Sequence, residues 1–158
     1  MGERAIAAVS EALRGILAEA LLEEPPLLDK DEHVVLASPA DIPRDRHTRL
    51  GIFLYRVSEH VLSRPEAMRI KGPLGFLLSY LILPVGPDAA HCQQVFGRVL
   101  RTLYQHPTLQ VPEAGGELEL TLLRHPLEEA IRLWLALDTP YQPALYYDVR
   151  IVRLADEP

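Results

Sequence analysis

The single cysteine, Cys92, and the six histidines of this 158-residue chain are the first side chains to consider as metal ligands or nucleophiles. Cys92 directly follows His91, and adjacent residues on a helix point about 100° apart, so these two cannot easily share a metal. No two histidines have the i, i+4 spacing of a helical zinc site. His106 and His125 each precede a proline at the boundary of a predicted element. The sequence therefore predicts no metal site.

Cys92 paired with a distant histidine would make the chain a small Cys/His-dependent enzyme. Its sequence neighbours offer nothing that would lower the pKa of the thiol, and a cysteine in an apolar helix is usually packing material. The chain has no G-x-S-x-G motif, and its glycines form no phosphate-binding loop. The sequence therefore predicts no catalytic residue and no cofactor, and the enzyme is kept as an alternative interpretation.

The composition is that of a globular protein, with 48% hydrophobic and 24% charged residues, and the length fits a single domain over residues 1–158. A net charge of -6 argues against non-specific nucleic-acid binding, which depends on Lys and Arg. The apolar run Gly75–Val85 is shorter than the roughly 20 residues that a membrane-spanning helix needs. No secretory signal is recognisable. The sequence thus predicts a cytoplasmic protein that does not insert into a membrane.

Charge is unevenly distributed along the chain. Residues 1–32 contain three cations and eight acids, whereas residues 38–71 contain seven cations and four acids. A basic segment in an acidic chain can attract an acidic partner. The sequence therefore predicts a partner-binding segment that contains Arg44, Arg46, Arg49, Arg64, Arg69 and Lys71. The alternative is a solvated loop with mixed charges.

The elements that must position these residues follow from the periodicity of apolar residues. Helical spacing predicts helices over 5–21, 91–105 and 127–137. Leu100 and Tyr104 are predicted to be buried on the second helix, and Leu127, Ile131 and Trp134 on the third. Three long segments, 38–50, 61–72 and 107–116, are predicted to be loops that are poorly packed in the free subunit and order on assembly.

The remaining segments read as strands of a mixed sheet. Residues 33–37, 51–60, 75–83, 117–124 and 144–154 have apolar runs or alternation, and Gly75 and Pro84 favour a strand over a buried helix for the third of them. The 51–60 strand is predicted to have Ile52, Leu54 and Arg56 on one face and Phe53, Tyr55 and Val57 on the other. The predicted fold is α/β (α+β), a single domain in which about three helices pack on a mixed sheet of four to six strands.

Four blocks in order carry a resemblance to a known family: "IFLYRVSEH", "GPLGFLLSYLILPV", "FGRVLRTLYQHPTL" and "RLWLALDTPYQPALYYDVRIV". They resemble the cap, or tail-terminator, proteins of extracellular contractile injection systems, which are phage-tail-like particles of bacteria. The resemblance covers nearly all of the chain. Some family members have a further C-terminal domain, and this sequence ends at Pro158. Pro143 also departs from the family pattern, which predicts that the last strand begins after it or lies at an edge there.

The resemblance implies a tail-terminator-like fold and a non-enzymatic structural role. Identical subunits would form a ring, with sixfold symmetry, that closes the distal end of the inner tube and sheath. The implied partners are other copies of this chain, sheath proteins and inner-tube proteins, and the implied location is the cytoplasm during assembly, then a particle that can be released. A head-to-tail connector or other phage-tail component is the alternative within the same style of fold.

Overall fold

A computed structural model of the chain describes residues 3–60 and 75–151. The α-helices of this part of the chain are α1 (Ala5–Leu22), α2 (Ala89–Gln105) and α3 (Leu127–Ala136). Its strands are β1 (Val34–Leu36), β2 (Arg49–His60), β3 (Gly75–Val85), β4 (Thr108–Val111), β5 (Gly116–Leu122) and β6 (Leu145–Ile151). Within the described ranges, no helix is both long and apolar enough to cross a membrane. The predicted α/β fold, with three helices on a mixed sheet of up to six strands, is confirmed.

The strands form one sheet in the order β1-β2-β3-β6-β5-β4. β1 is parallel to β2, and every other neighbouring pair is antiparallel, so the sheet is mixed. Because β3 pairs with both β2 and β6, the apolar run that forms it lies in the middle of the sheet. β6 begins at Leu145, after Pro143, so the missing backbone donor of the proline falls outside the ladder, as predicted.

The two polar side chains of β3 each have a partner, which explains how so apolar a strand tolerates them. The Ser79 hydroxyl donates a hydrogen bond to Asp148 Oδ1 on β6, at 2.6 Å. The Tyr80 hydroxyl is hydrogen-bonded to the Ser10 hydroxyl of α1, at 2.8 Å. Burial raises the pKa of Tyr80 to about 12, so its hydroxyl stays protonated. The Ser10–Tyr80 bond fixes α1 against the centre of the sheet.

Helices cover both faces of the sheet. α1 and α2 pack on the face that carries alternate residues of β3, such as Leu78 and Ile82, in the larger of two apolar clusters. The opposite face carries Leu81 and Leu83 and is covered by α3, with Trp134, and by Ile42 from the segment before β2. β3 is therefore buried on both sides, because the sheet is the middle one of three layers.

A bulge in β2 changes the predicted faces of this strand. Leu54 pairs with Tyr80 and Arg56 pairs with Ser79, so Tyr55 is an extra residue between them. After an extra residue the alternation of side chains reverses. Arg56 therefore shares the face of Ser79 rather than that of Ile52 and Leu54, and the predicted alternation is wrong beyond Tyr55.

The prediction of a poorly packed loop over 107–116 is wrong. β4 lies there and pairs with β5, and Leu109, Val111 and Ala114 are buried against the α1 side of the sheet. A strand of only four residues that is followed by Pro112 leaves too short a pattern to recognise. The 38–50 segment is partly packed as well, since β2 begins at Arg49 and Pro39 is buried. The predicted loop 61–72 lies outside the described residues.

Candidate partner-binding surface

The six cations that the sequence assigned to a partner contact divide into two groups. Arg44, Arg46 and Arg49 are described by the structure, whereas Arg64, Arg69 and Lys71 lie outside the described residues. We call residues 38–48 the basic loop. It begins with a short 3-10 turn, Pro39–Asp41, and Ile42 then inserts into the α3 side of the core. The side chains of Arg44 and Arg46 that follow are exposed.

Arg49, at the start of β2, closes the basic loop. Its Nη1 donates to Asp45 Oδ1 at 2.7 Å and its Nη2 donates to Asp45 Oδ2 at 3.1 Å, which is a bidentate pair. Nη1 also donates to the carbonyl oxygen of Pro43 at 3.3 Å. Arg49 therefore has an internal role, and Arg44 and Arg46 are the cations that the loop presents to solvent.

The pKa of the Asp45 carboxyl group is well below its ordinary value. Its hydrogen bonds from the Arg49 guanidinium and from the His47 backbone N–H, the latter at 2.8 Å, lower its pKa to about 2 from 3.8. Because the folded-state pKa is the lower one, this contact stabilises the folded protein above pH 3.8. That contribution is lost as the pH falls through 2.

We expect Asp45 to titrate with a midpoint near 2 in the folded protein. The midpoint can be measured from the carboxyl carbon shift by NMR. The matched variant is Arg49→Gln, which keeps a polar side chain but removes the charge and the bidentate geometry, so the Asp45 midpoint is expected to move up toward 3.8. The same midpoint in both proteins would contradict the assigned cause.

A cluster of one carboxylate and two imidazoles lies beside the basic loop. His47 Nδ1 is 3.3 Å from Asp29 Oδ2, and Arg46 Nε donates to His47 Nε2 at 3.3 Å. The His33 ring is tilted against that of His47, with ring centroids 5.0 Å apart. Burial lowers the pKa of His33, with smaller contributions from the charges of Arg49 and His47. The His33 ring is therefore neutral at pH 7.

This cluster was not predicted from the sequence. The residues considered there were the histidines and Cys92, without the acidic residues. The available signal was the i, i+4 spacing of Asp29 and His33, and no local spacing connects these two residues to His47. His47 joins them because β1 and β2 are parallel neighbours, which brings the segments preceding the two strands to the same end of the sheet.

Apolar side chains that were predicted to be buried are exposed on two surfaces. On α3, only Ala130 and Trp134 are buried, and the predicted core residues Leu127 and Ile131 face solvent together with Leu135. Leu100, Tyr104 and Leu122 are exposed too, and they line a cavity of about 480 Å³ between α2 and β5. The helical periodicity predicted an apolar face on α2 and on α3, and the sheet covers only part of each face. Contiguous exposed apolar surface of this kind is typical of contacts with other proteins.

The surroundings of Cys92 do not favour a nucleophilic thiolate. Burial raises the pKa of the Cys92 thiol, and the nearby Asp88 carboxylate raises it further, which disfavours the reactive thiolate. The Asp88 carboxylate caps α2 by accepting hydrogen bonds from the backbone N–H groups of Ala90 and His91. His91 Nε2 is hydrogen-bonded to the carbonyl oxygen of Leu27 at 2.8 Å, which ties α2 to the segment after α1.

A match to a known protein family assigns the chain to that family. Residues 8–158 match the family described as the Pvc16 N-terminal domain. The chain belongs to this family. The family resemblance that the four sequence blocks carried is confirmed. No curated protein matches the chain in sequence.

Two solved structures have the same fold as this family member. One is the sheath/tube terminator of an extracellular contractile injection system, PVC, in its extended state: the TM-score is 0.66, the identity is 16%, and the match covers 99% of this chain and 59% of that one. The other is the tube-terminating cap of the anti-feeding prophage: the TM-score is 0.62, the identity is 17%, and the match covers 94% and 55%. This chain thus spans somewhat more than half the length of each.

Proposed function

We propose that this chain is a non-enzymatic structural subunit that caps the distal end of the inner tube and sheath of a contractile injection system. The observation that carries the proposal is the match of nearly the whole chain to the folds of two terminators, together with its membership of the Pvc16 N-terminal domain family. The two similar structures are named as a sheath/tube terminator and as a tube-terminating cap. Association with sheath and inner-tube proteins is what those names imply for this chain.

The residue chemistry supports a structural role over the Cys/His-dependent enzyme. The thiol pKa of Cys92 is raised rather than lowered. His106 Nδ1 is hydrogen-bonded to the Thr102 carbonyl oxygen at the end of α2, at 2.8 Å. The His125 ring lies between Tyr55 and Glu129, within hydrogen-bonding distance of both. His106 thus caps the end of α2, and His125 connects β2 to α3, whereas a catalytic base would face a nucleophile.

A ring of six identical copies is the assembly that we propose, since contractile tubes and sheaths share that symmetry. A head-to-tail interface closes into a ring when the rotation between neighbours fits, so each subunit needs one surface and its complement. The exposed apolar residues of α2 and α3 and the exposed arginines of the basic loop provide surfaces of two chemical kinds. Assembly would take place in the cytoplasm, and the chain would leave the cell with any released particle.

Deletion of the gene for this chain tests the proposed function. Particles purified from the deletion strain are expected to have a broad distribution of tube and sheath lengths and no closed distal end, measured by negative-stain electron microscopy. Complementation with the wild-type gene should restore a narrow distribution. Antibody labelling of wild-type particles should mark one end only.

Two outcomes would contradict the proposal. One is the absence of the chain from purified particles by mass spectrometry, and the other is labelling along the whole tube. A chain found only in particles with a capsid would instead support the head-to-tail connector.

A further inference from the structure

Three side chains with metal-binding chemistry converge from separate parts of the chain. Asp29 lies between α1 and the 3-10 turn Asp31–His33, His33 ends that turn, and His47 lies in the basic loop. One ligand atom from each lies within 4.8 Å of the other two. The geometry points to a binding site for a divalent transition metal of the Zn²⁺ class, formed by Asp29, His33 and His47.

One pair of ligand atoms already has the spacing that a tetrahedral ion requires. With bonds of about 2.0–2.2 Å from Zn²⁺ to imidazole nitrogen and carboxylate oxygen, tetrahedral ligand atoms are roughly 3.3–3.5 Å apart. His47 Nδ1 and Asp29 Oδ2 are 3.3 Å apart already. Asp29 is exposed, so its side chain can turn to complete the site. Three protein ligands leave a fourth position for water, and two imidazoles favour zinc, copper or nickel over magnesium and calcium.

His33 gives an independent indication that something binds here. Its side chain is only 7% exposed, and its Nδ1 is buried without a hydrogen-bond partner in the part of the chain that the structure describes. Buried polar atoms nearly always have a partner, and an exception calls for an explanation such as an ion. The ring is held beside that of His47, at a centroid distance of 5.0 Å. His33 is thus a buried side chain with metal-binding chemistry, and one of its ring nitrogens is without a hydrogen-bond partner among the described residues.

Metal binding would change the basic loop as well. Arg46 Nε donates a hydrogen bond to His47 Nε2. When Nδ1 of a neutral imidazole binds a metal, Nε2 carries the proton and becomes a donor, so it can no longer accept from Arg46. The exposed Arg46 side chain would then turn away from His47 into solvent. A bound ion would also connect the segment after α1 to the basic loop.

The surrounding charges are mixed. The positive charges of Arg49 and Lys30 both lie close enough to disfavour protonation of His33. Arg49 is paired with Asp45, which compensates its charge locally. Asp29 supplies the negative charge of the proposed site itself.

Isothermal titration calorimetry of tag-free protein with Zn²⁺ tests the site. We expect saturable binding of one ion per chain. Asp29→Asn and His47→Ala change residues that are not buried, so both variants should fold, and each is expected to weaken binding by roughly tenfold or more. The matched control is His106→Ala, which removes a histidine at the end of α2 and should leave the affinity unchanged. Titration with Co²⁺ should give the visible absorption of a tetrahedral nitrogen and oxygen site in the wild type and in the control only.

The inference is overturned if the wild-type chain binds no Zn²⁺, or if the Asp29 and His47 variants bind it as tightly as the His106 variant. Circular dichroism of each variant, compared with the wild type, keeps a loss of binding distinct from a loss of fold. The proposed capping function does not enter this experiment, so either conclusion can fail without the other.

Discussion

Trp134→Ala is expected to lower the free energy of unfolding by about 3–5 kcal/mol, the usual cost of removing a large buried aromatic side chain. Trp134 is 1% exposed and lies in the apolar cluster between α3 and the sheet, with Leu83 and Tyr146. Its indole N–H donates a hydrogen bond to the Tyr146 hydroxyl at 3.0 Å. The variant would therefore leave both a cavity and a buried hydroxyl without its donor.

The neighbouring residue provides the control for this prediction. Leu135 follows Trp134 on the same helix but is 75% exposed, so Leu135→Ala is expected to change stability by no more than about 0.5 kcal/mol. Urea denaturation followed by circular dichroism gives both values, and it avoids tryptophan fluorescence, which the first variant abolishes. Similar losses in the two variants would mean that α3 is packed through a different face.

The prediction of the fold from sequence succeeded where apolar periodicity and chain breakers agree. Residues 75–83 lie between glycine and proline signals and have no charge, and they form the central strand as expected. α1 and α2 were placed within two residues of their observed ends. β4 was missed because its four residues form a strand only through pairing with β5, and such pairing leaves little trace in a short segment.

Apolar periodicity could not predict which apolar residues are exposed in the folded chain. Periodicity reports that Leu127 and Ile131 share the apolar side of α3, but it does not report whether the same chain covers that side. Only a narrow stripe, Ala130 and Trp134, meets the sheet. The pairing of Asp45 with Arg49 was equally hidden, since the charge count treated Arg49 as available to a partner. These differences arise because sequence patterns describe composition along an element, whereas burial depends on what packs against it.

Charge reversal in the basic loop is expected to have the largest effect on assembly, given the proposed function. Arg44 and Arg46 are exposed, and the loop that carries them is held by the buried Ile42 and by the Arg49–Asp45 pair. The backbone that carries them is therefore held by contacts within the chain. Reversing both to glutamate would place like charges against an acidic partner, which costs several kcal/mol in close contact, so the amount of this chain per purified particle should fall roughly tenfold or more.

The variant should leave Arg49 unchanged. A triple reversal that includes Arg49 would break the Asp45 pair and open the loop, so it would mix a change of charge with a change of shape. The matched control is Arg4→Glu with Arg124→Glu, two exposed arginines, one before α1 and one between β5 and α3, that give the same change in net charge away from the loop. Quantitative mass spectrometry of purified particles gives the incorporation of each variant, and circular dichroism of the free subunits verifies the fold. If the loop variant incorporates as well as the control, the basic loop is a solvated surface, and the partner contact must lie elsewhere, with the exposed apolar residues of α2 and α3 the next to test.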